Sequence, residues 1–110
     1  MIIARRELII DHLSPNPVVV PIHIEQPEAV GETRWQCWFE IAWPERLDRR
    51  RMTGHDSMAA VVNTLKLIGI EVYASRYHAE GRLYLDDEGG YGFPLPTYLQ
   101  DSAVGMDKEF

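Results

Sequence analysis

The sequence contains only one cysteine in 110 residues, and its uninterrupted apolar runs are short. Cys37 has no second thiol to pair with, which excludes an internal disulfide and a zinc site built on a pair of cysteines. No apolar run approaches the roughly 18 residues that span a bilayer, and the first residues lack the charged-then-apolar order of a signal peptide. From these absences we expect a cytoplasmic protein with no membrane partner.

Positive charge is also scarce, with 11 Lys and Arg against 17 Asp and Glu and a formal net charge of -6. Because a nucleic-acid-binding protein usually needs a basic face to meet phosphates, we expect no nucleic-acid partner. The charge is uneven, since residues 78–110 carry two basic and seven acidic side chains. Asp86, Asp87 and Glu88 form the densest acidic run, and residues 46–51, with four arginines, form the opposite pole. Both runs also fit an ordinary solvated surface.

The remaining composition is that of a globular protein, 45% hydrophobic and 10% aromatic. A domain of this length buries roughly two-thirds of its unfolded surface, which is enough for a core without disulfide or metal support. Residues 1–96 are predicted to form a single domain. Periodicity is lost after Pro96, so residues 97–110 are predicted to be a mobile tail.

Four segments in the first half of the chain have the alternation of β-strands: residues 2–11, 18–25, 34–43 and 47–53. Pro21 cannot donate a ladder hydrogen bond, which predicts that the second segment is an edge strand or carries a bulge. In the third segment the apolar residues, Cys37 among them, share one face. Trp38 falls on the opposite, mostly polar face.

A helix is predicted over residues 56–77, where apolar side chains recur every three or four residues. Asp56 or Ser57 can cap its first amides, and Gly69 is either a close-packing point or an early end. A short strand over residues 82–86 follows. This order predicts an α+β fold, an antiparallel β-meander of about five strands with one long α-helix packed across one face.

The sequence offers little for catalysis. His23 and Glu25 share one strand face, but two ligands do not make a metal site, so no metal is predicted. His55, Asp56 and Ser57 are adjacent, whereas a hydrolase triad converges from separate elements, and helix capping explains them better. The glycines at 89, 90 and 92 lack the helix and lysine of a phosphate-binding loop, so no cofactor is predicted. We predict no catalytic residues and favour a protein that is not an enzyme.

Trp38 suggests a binding surface instead, because a large aromatic on a partly charged, accessible face is a typical interface anchor. An equally good alternative is that Trp38 packs under the segment 89–96. An acidic surface suits a basic partner and speeds the encounter with it. The predicted partner-binding residues are Trp38, Arg34, Glu40, Asp86, Asp87 and Glu88. The predicted partner is a protein, and one form of this prediction is a basic protein.

The alternative is a small-molecule-binding domain or an unrecognised enzyme with a pocket between sheet and helix. Aromatic side chains and a histidine would line this pocket, and an arginine would hold an anionic group. The predicted pocket residues are Tyr73, Tyr77, His78, Tyr84, Arg49 and Arg51. A homo-oligomer through the uncovered sheet face is compatible with either function.

Several short motifs together resemble a bacterial family of small proteins known only as a domain of unknown function. The motifs are Ala4, Arg5, Arg6, Glu7 and Leu8; Phe39, Glu40 and Ile41; Asp56 and Ser57; Gly81, Arg82 and Leu83; and Gly92, Phe93 and Pro94. The resemblance covers most of residues 4–96 and implies a stand-alone bacterial cytoplasmic domain, with no catalytic residues to transfer. The functional hypothesis is therefore a non-catalytic protein-interaction module, such as an immunity-type inhibitor or a small chaperone.

Overall fold

Alternating apolar residues fold the first half of the chain into an antiparallel sheet, which one main helix covers. The computed structural model describes residues 1–109; Phe110, part of the predicted tail, lies outside the described residues. The elements are β1 (Ile2–Ile10), β2 (Val18–Glu25), β3 (Glu28–Gly31), β4 (Arg34–Ala42), β5 (Leu47–Gly54), α1 (Ser57–Ala74), α2 (Arg76–Ala79) and β6 (Leu83–Tyr84), followed by two 3₁₀ turns, Thr97–Ser102 and Gly105–Glu109. The predicted α+β fold is confirmed.

The sheet is a meander in which β1, β2, β4 and β5 are neighbours in chain order, all antiparallel. β3 pairs with the first part of β4, on a stretch that β2 does not reach. β6 closes the opposite edge of the sheet by pairing with Ile9 and Ile10 of β1. The chain must therefore cross one face of the sheet between β5 and β6, and α1 makes that crossing.

Pro21 lies in a strand that has neighbours on both sides, so the prediction of an edge strand was wrong for β2 as a whole. β2 pairs with β1 in regular register through Pro21, without a bulge there. Its ladder with β4 runs from Ile22 to Ile24 and does not include Pro21. A missing amide donor is tolerated because this half of β2 has only one paired neighbour.

The core lies between the sheet and a second layer formed by α1 and residues 91–95. Alternation places Leu8, Val20 and Phe39 on the covered face, each with no exposed surface. α1 lies over β4 and β5, and Tyr91 and Phe93 belong to the same buried cluster. The second layer is therefore part helix and part extended segment, where the sequence predicted a helix alone.

Helix α1 begins at the predicted cap. The Asp56 carboxylate accepts a hydrogen bond from the Ala59 amide at 2.7 Å. The helix continues through Gly69, where an added Cβ would lie 2.9 Å from the Pro94 carbonyl oxygen, so Gly69 is a close-packing point. It ends at Ala74, three residues before the predicted end, because Ser75 is extended with ψ 149°.

Helix α1 has the length and apolarity of a membrane span, with a mean hydropathy of 1.2 over its 18 residues. Its sequence is not an uninterrupted apolar run, because Lys66 and Glu71 lie within it. In the fold, one side of the helix, including Ile68 and Val72, is buried against the sheet. α1 is thus the core helix of this domain, and a cytoplasmic location stays a prediction.

Residues 97–109, predicted to belong to a mobile tail, fold back onto the domain in two 3₁₀ turns. Ala103 is 5% exposed and Asp107 has no exposed surface. Three hydrogen bonds to residues 73–92 fix the Asp107 carboxylate. The packed domain thus extends past the predicted boundary at residue 96, whereas the mobility of the segment stays a prediction.

Candidate partner-binding face

The face of the sheet opposite α1, here called the open face, carries a row of charged side chains. Register places Arg5 opposite His23, His23 opposite Glu40, and Glu40 opposite Arg49. Side chains directly opposite one another on antiparallel strands lie close enough to interact. Four strands thus contribute to one polar strip across the sheet.

Ion pairs join Arg49, Glu25, Glu40 and His23 into a compact group, here called the open-face cluster. The Arg49 guanidinium donates two hydrogen bonds to the Glu25 carboxylate, one of them at 3.1 Å, and lies 3.3 Å from a Glu40 oxygen. The His23 Nε2 atom lies 3.1 Å from Glu25 and 3.2 Å from Glu40. One guanidinium therefore bridges two carboxylates that would otherwise repel each other.

The protonation of the open-face cluster is perturbed most at Glu25. Hydrogen bonding to Arg49, with a further contribution from His23, lowers the pKa of Glu25 to about 2 even though burial acts against it. The same pairing raises the pKa of the Arg49 guanidinium. The arrangement is therefore a fixed ion pair at neutral pH.

Trp38 lies beside this cluster, half-buried, on the predicted open face. The guanidinium carbon of Arg49 lies 4.8 Å from the centre of the Trp38 ring and that of Arg51 lies 5.3 Å away. Cation–π attraction between an arginine and an indole fixes the ring orientation. Arg34 and Glu40 share this strand face, Arg34 exposed at the strand start and Glu40 held by Arg49.

Three side chains of the open-face cluster also have the chemistry of metal ligands. One ligand atom each from His23, Glu25 and Glu40 lies within 4.8 Å of the others. Only His23 and Glu25 were predictable as a pair from the sequence, because Glu40 comes from another strand. Arg49 already binds both carboxylates, and a divalent ion would have to displace this cation. The geometry favours an ion-paired group in which Arg49 holds both carboxylates.

The acidic run lies away from Trp38, at the opposite edge of the sheet. It follows β6, which is separated from β4 by β1 and β2, or roughly 14 Å at the usual strand spacing. Asp87 accepts a hydrogen bond from the Tyr84 hydroxyl, and the Glu88 amide donates to Asp86. The six predicted partner-binding residues are thus divided between two regions.

The six predicted pocket residues do not form one pocket. Tyr73 and His78 pack together with ring centres 4.6 Å apart. Tyr77 instead stacks on Trp43 and donates its hydroxyl hydrogen bond to Glu45. Tyr84 stacks on His12 at the edge strand. Arg49 and Arg51 lie on the open face, because strand alternation turns them away from α1.

The structure instead shows a buried polar group that the sequence analysis missed, formed by Asp107, Tyr91, Tyr73 and His78. Asp107 accepts hydrogen bonds from the Tyr73 hydroxyl at 2.6 Å and from the Tyr91 and Gly92 amides at 2.9 and 2.7 Å. The Tyr91 hydroxyl lies 2.5 Å from His78 Nδ1. Asp107 comes from an aperiodic segment, so no sequence pattern indicated it.

Burial governs the protonation of this second group. It raises the pKa of Tyr91 to about 12, with the nearby Asp107 charge acting in the same direction. Burial also lowers the pKa of His78, against the attraction of Asp107. A neutral histidine and neutral tyrosines around one carboxylate form a structural network that connects the C-terminal turns to α1.

Beside this network is a cleft of about 400 Å³. Tyr73 and His78 line one side and Tyr98 and Leu99 the other. Its walls therefore come from the helices and from the first 3₁₀ turn, not from the sheet. Two of the six predicted pocket residues contribute to it.

Comparison with known proteins gives one match. A family model described as a domain of unknown function (DUF6968) matches residues 4–95. No curated protein and no solved structure matches the chain. The matched range includes Trp38 and the whole open-face cluster, and it ends before the two C-terminal turns.

Proposed function

The chain belongs to the family of domains of unknown function DUF6968, and we propose that it is a non-catalytic protein-interaction module that uses its open sheet face. In the form we favour, it is an immunity-type inhibitor or a small chaperone that binds a partner protein. The bacterial origin implied by the sequence resemblance belongs to the same proposal.

One observation supports this proposal above the others: Trp38 lies on the uncovered face of the sheet with two guanidinium groups, those of Arg49 and Arg51, close to its ring. Tryptophan and arginine are the residue types most enriched among interface hot spots. Glu25 and Glu40 hold Arg49, which packs on the Trp38 ring, so little side-chain entropy remains to be lost on binding. A preorganised aromatic anchor is what a binding face needs.

The chemistry of the chain agrees with a non-catalytic role. Cys37 has no exposed surface, and burial raises the pKa of its thiol. A thiol in that environment is inert as a nucleophile. In the carboxylate–histidine group on the open face, Arg49 already binds both carboxylates.

The charge on the open face indicates what the partner brings to it. Arg51 contacts the Trp38 ring and, among residues 1–109, has no carboxylate within salt-bridge distance. A carboxylate or a carbonyl of the partner therefore fits beside Trp38. A basic region of the same partner would meet the acidic run at the other sheet edge. The attraction between these opposite charges would steer the encounter.

The test compares three forms of the tagged chain, cross-linked in its native host: the wild type, Trp38→Ala and Tyr98→Ala. Tyr98 is the matched control, because it is an aromatic residue that is 76% exposed and not on the sheet. We expect a defined partner with the wild type and the control and its loss with Trp38→Ala. With the purified partner, the dissociation constant should rise roughly thirtyfold, as for a hot-spot residue.

Equal capture by all three forms would contradict a binding face at Trp38. Thermal unfolding of the Trp38→Ala variant shows whether the domain remains folded. Arg51→Glu provides a second variant on the open face. It reverses the charge of an exposed side chain and so leaves the core intact. Its binding should fall as well.

A second candidate function, a small-molecule-binding domain, is favoured by the cleft between Tyr73, His78 and Tyr98. Its size of about 400 Å³ and its aromatic walls fit a small organic ligand. NMR screening of a fragment mixture would show amide shifts confined to residues lining the cleft. Fragments that shift only other regions would contradict this function.

Self-association through the open face is a further version of the interaction proposal. A second copy would bring its own Arg51 and Trp38 to the contact, which places like charges near each other. Light scattering at high protein concentration tests it. A dimer that Arg51→Glu alters would support self-association, and a monomer at all concentrations would exclude it.

A further inference from the structure

The edge of the sheet formed by β1 is unpaired along most of its length. β6 pairs only with Ile9 and Ile10, and the chain leaves the sheet after Tyr84. Residues 3–7 of β1 therefore have β2 on one side and no strand on the other. We call this stretch the free β1 edge.

The backbone groups that point outward along this edge follow from the hydrogen bonds next to it. The Asp11 amide donates to the Arg82 carbonyl at 2.9 Å, on the β6 side. Amides of successive residues in a strand point to alternate sides, so the odd-numbered residues of β1 face away from β2. Arg5 and Glu7 thus direct their N–H and C=O groups outward, and within residues 1–109 no backbone group pairs with them.

The other long edge of the sheet differs in its protection. β5 carries four consecutive charged residues, Asp48 to Arg51, and Asn63 donates a side-chain hydrogen bond to the Thr53 carbonyl at 2.9 Å. Charged side chains and covering contacts are the usual means by which proteins block edge pairing. β1 has its own charged run, Arg5 to Glu7, and a register shift between Ile2 and Ala4, but it begins with apolar residues, of which Ile3 is 47% exposed.

A cavity lies next to the free β1 edge on the helix side of the sheet. Ala4 faces this side, opposite Ile24, and yet is exposed, because the second layer ends short of it. The cavity holds about 80 Å³ and its lining is largely apolar. Ala4, Arg6, Ile24, Leu65 and Phe93 contribute to the wall.

We propose that the free β1 edge binds an extended segment of a partner protein as an additional antiparallel strand. The segment would place an acidic side chain opposite Arg5 on the open face and an apolar side chain beside Ala4 in the cavity. Backbone pairing supplies the affinity in such strand addition, and pockets for alternate side chains supply the specificity. This edge is separate from Trp38, so the inference does not depend on the proposed open-face interface.

A second copy of this chain fits poorly in the two registers that pair the charged part of β1. A two-fold β1–β1 pair centred on Arg5 would place the two Arg5 side chains opposite each other, which is destabilising. Centring the pair on Arg6 would extend the partner strand to Ile9, where β6 already lies. A heterologous strand with a carboxylate avoids both conflicts.

The test uses two capped hexapeptides of identical composition. In the first, Val-Lys-Thr-Asp-Leu-Thr, antiparallel pairing places Asp opposite Arg5, Lys opposite Glu7 and Leu beside Ala4. The second exchanges Lys and Asp and so places like charges opposite both residues. Each peptide is titrated to millimolar concentration into ¹⁵N-labelled protein, and the amide shifts of β1 are followed.

We expect the first peptide to shift the Arg5 and Glu7 amides and to slow their hydrogen exchange. The second should bind roughly five- to twentyfold more weakly, as two reversed cross-strand pairs imply. In the double variant Arg5→Glu with Glu7→Arg, the order of the two peptides should reverse. Both residues are exposed, so this variant retains the core.

Three results would overturn the inference. The first is slow exchange of the Arg5 and Glu7 amides in the free protein, which would mean that the edge is already covered. The second is binding of neither peptide, or of both equally, with no reversal in the double variant. The third is a dimer whose formation slows the exchange of the Arg5 and Glu7 amides. Trp38→Ala should bind the first peptide like the wild type, which separates this inference from the open-face interface.

Discussion

At the scale of single residues, Glu25 shows how a surface carboxylate stabilises the arrangement around Trp38. It accepts hydrogen bonds from Arg49, and Arg49 packs on the Trp38 ring. Removing the carboxylate therefore affects both the ion pair and the support of the indole. Its contribution must depend on pH, because its pKa is about 2 in the folded chain against 4.5 for an unperturbed glutamate.

The variant Glu25→Gln tests this contribution. Because the folded-state pKa is depressed, the stabilisation is complete above about pH 4.5 and is lost as the pH falls toward 2. The side chain is partly solvated, so we expect Glu25→Gln to lower the free energy of unfolding by about 1 kcal/mol at pH 7. Urea unfolding between pH 2 and 7 measures it, with Glu32→Gln, an exposed turn residue, as control. An equal loss at pH 2 would contradict this account.

The two-residue period predicted the face on which each β4 side chain lies. Cys37, Phe39 and Ile41 are buried as expected, and Trp38 is on the other face. The pairing of Arg49 with Glu25 was not predictable, because the two residues are 24 positions apart and meet only through the register of β2, β4 and β5.

At the scale of elements, the contact between α1 and residues 93–95 determines how the second layer packs. Gly69 allows the helix backbone to approach the extended segment closely, with space for no side chain. Without this approach, Phe93 could not reach the core beside α1. The segment replaces a second helix in covering β1 and β2.

Replacing Gly69 with alanine should therefore destabilise the domain, although alanine is the better helix former. The new methyl carbon would lie 2.9 Å from the Pro94 oxygen and 3.0 Å from Leu95. Overpacking costs more than the roughly 1 kcal/mol that helix propensity returns, so we expect a net loss of about 1 to 2 kcal/mol. Gly31→Ala is the control, since its Cβ would lie 3.7 Å from its nearest neighbour. Equal stability of both variants would refute close packing at Gly69.

The two C-terminal turns depend on one buried carboxylate. The two Asp107 carboxylate oxygens accept hydrogen bonds from the Tyr91 and Gly92 amides. In Asp107→Asn, an NH₂ group replaces one of these oxygens and faces a backbone N–H, so that hydrogen bond is lost. Losing hydrogen bonds to a buried charge should cost about 2 to 3 kcal/mol. Chemical unfolding measures this loss, and hydrogen exchange at residues 90–92 should accelerate. Asp101→Asn, an exposed neighbour, is the control. Unchanged exchange would mean that the turns do not hold this loop.

Regular periodicity accounts for the elements that were predicted and for those that were missed. The long strands and α1 repeat a pattern over eight or more residues, so their positions were predictable from the sequence alone. β3 has four exposed residues, and the C-terminal turns have no repeat. Such segments are positioned by tertiary contacts, which local patterns do not encode.

At the scale of the whole molecule, the excess negative charge is localised. The basic pole lies on β5 beside Trp38, and the acidic run follows β6 at the opposite edge of the sheet. A partner approaching from solution therefore meets a molecule with two electrically different sides. Such a distribution affects the encounter rate and the orientation of a partner more than it affects the fold.

Reversing Asp87 and Glu88 to lysine tests whether the acidic run steers a basic partner. Both side chains are exposed. Asp86 is left in place because its carboxylate accepts a hydrogen bond from the Glu88 amide. With the partner captured through Trp38, we expect association at low salt to slow roughly tenfold and the dissociation rate to change little. The difference should disappear near 0.5 M salt, where screening acts over only a few ångströms.

The matched control reverses Glu32 and Asp101, which are exposed and lie outside the sheet strands. Both double variants raise the net charge by the same amount, so a difference between them depends on position alone. Equal slowing by the two would mean that only net charge matters, and no slowing by either would exclude steering by the acidic run. Slowing confined to the first would assign the encounter to the β6 edge, because long-range attraction orients a partner before any contact is made. The open face would then fix the complex in a second step, since packing on the Trp38 ring acts only at contact distance.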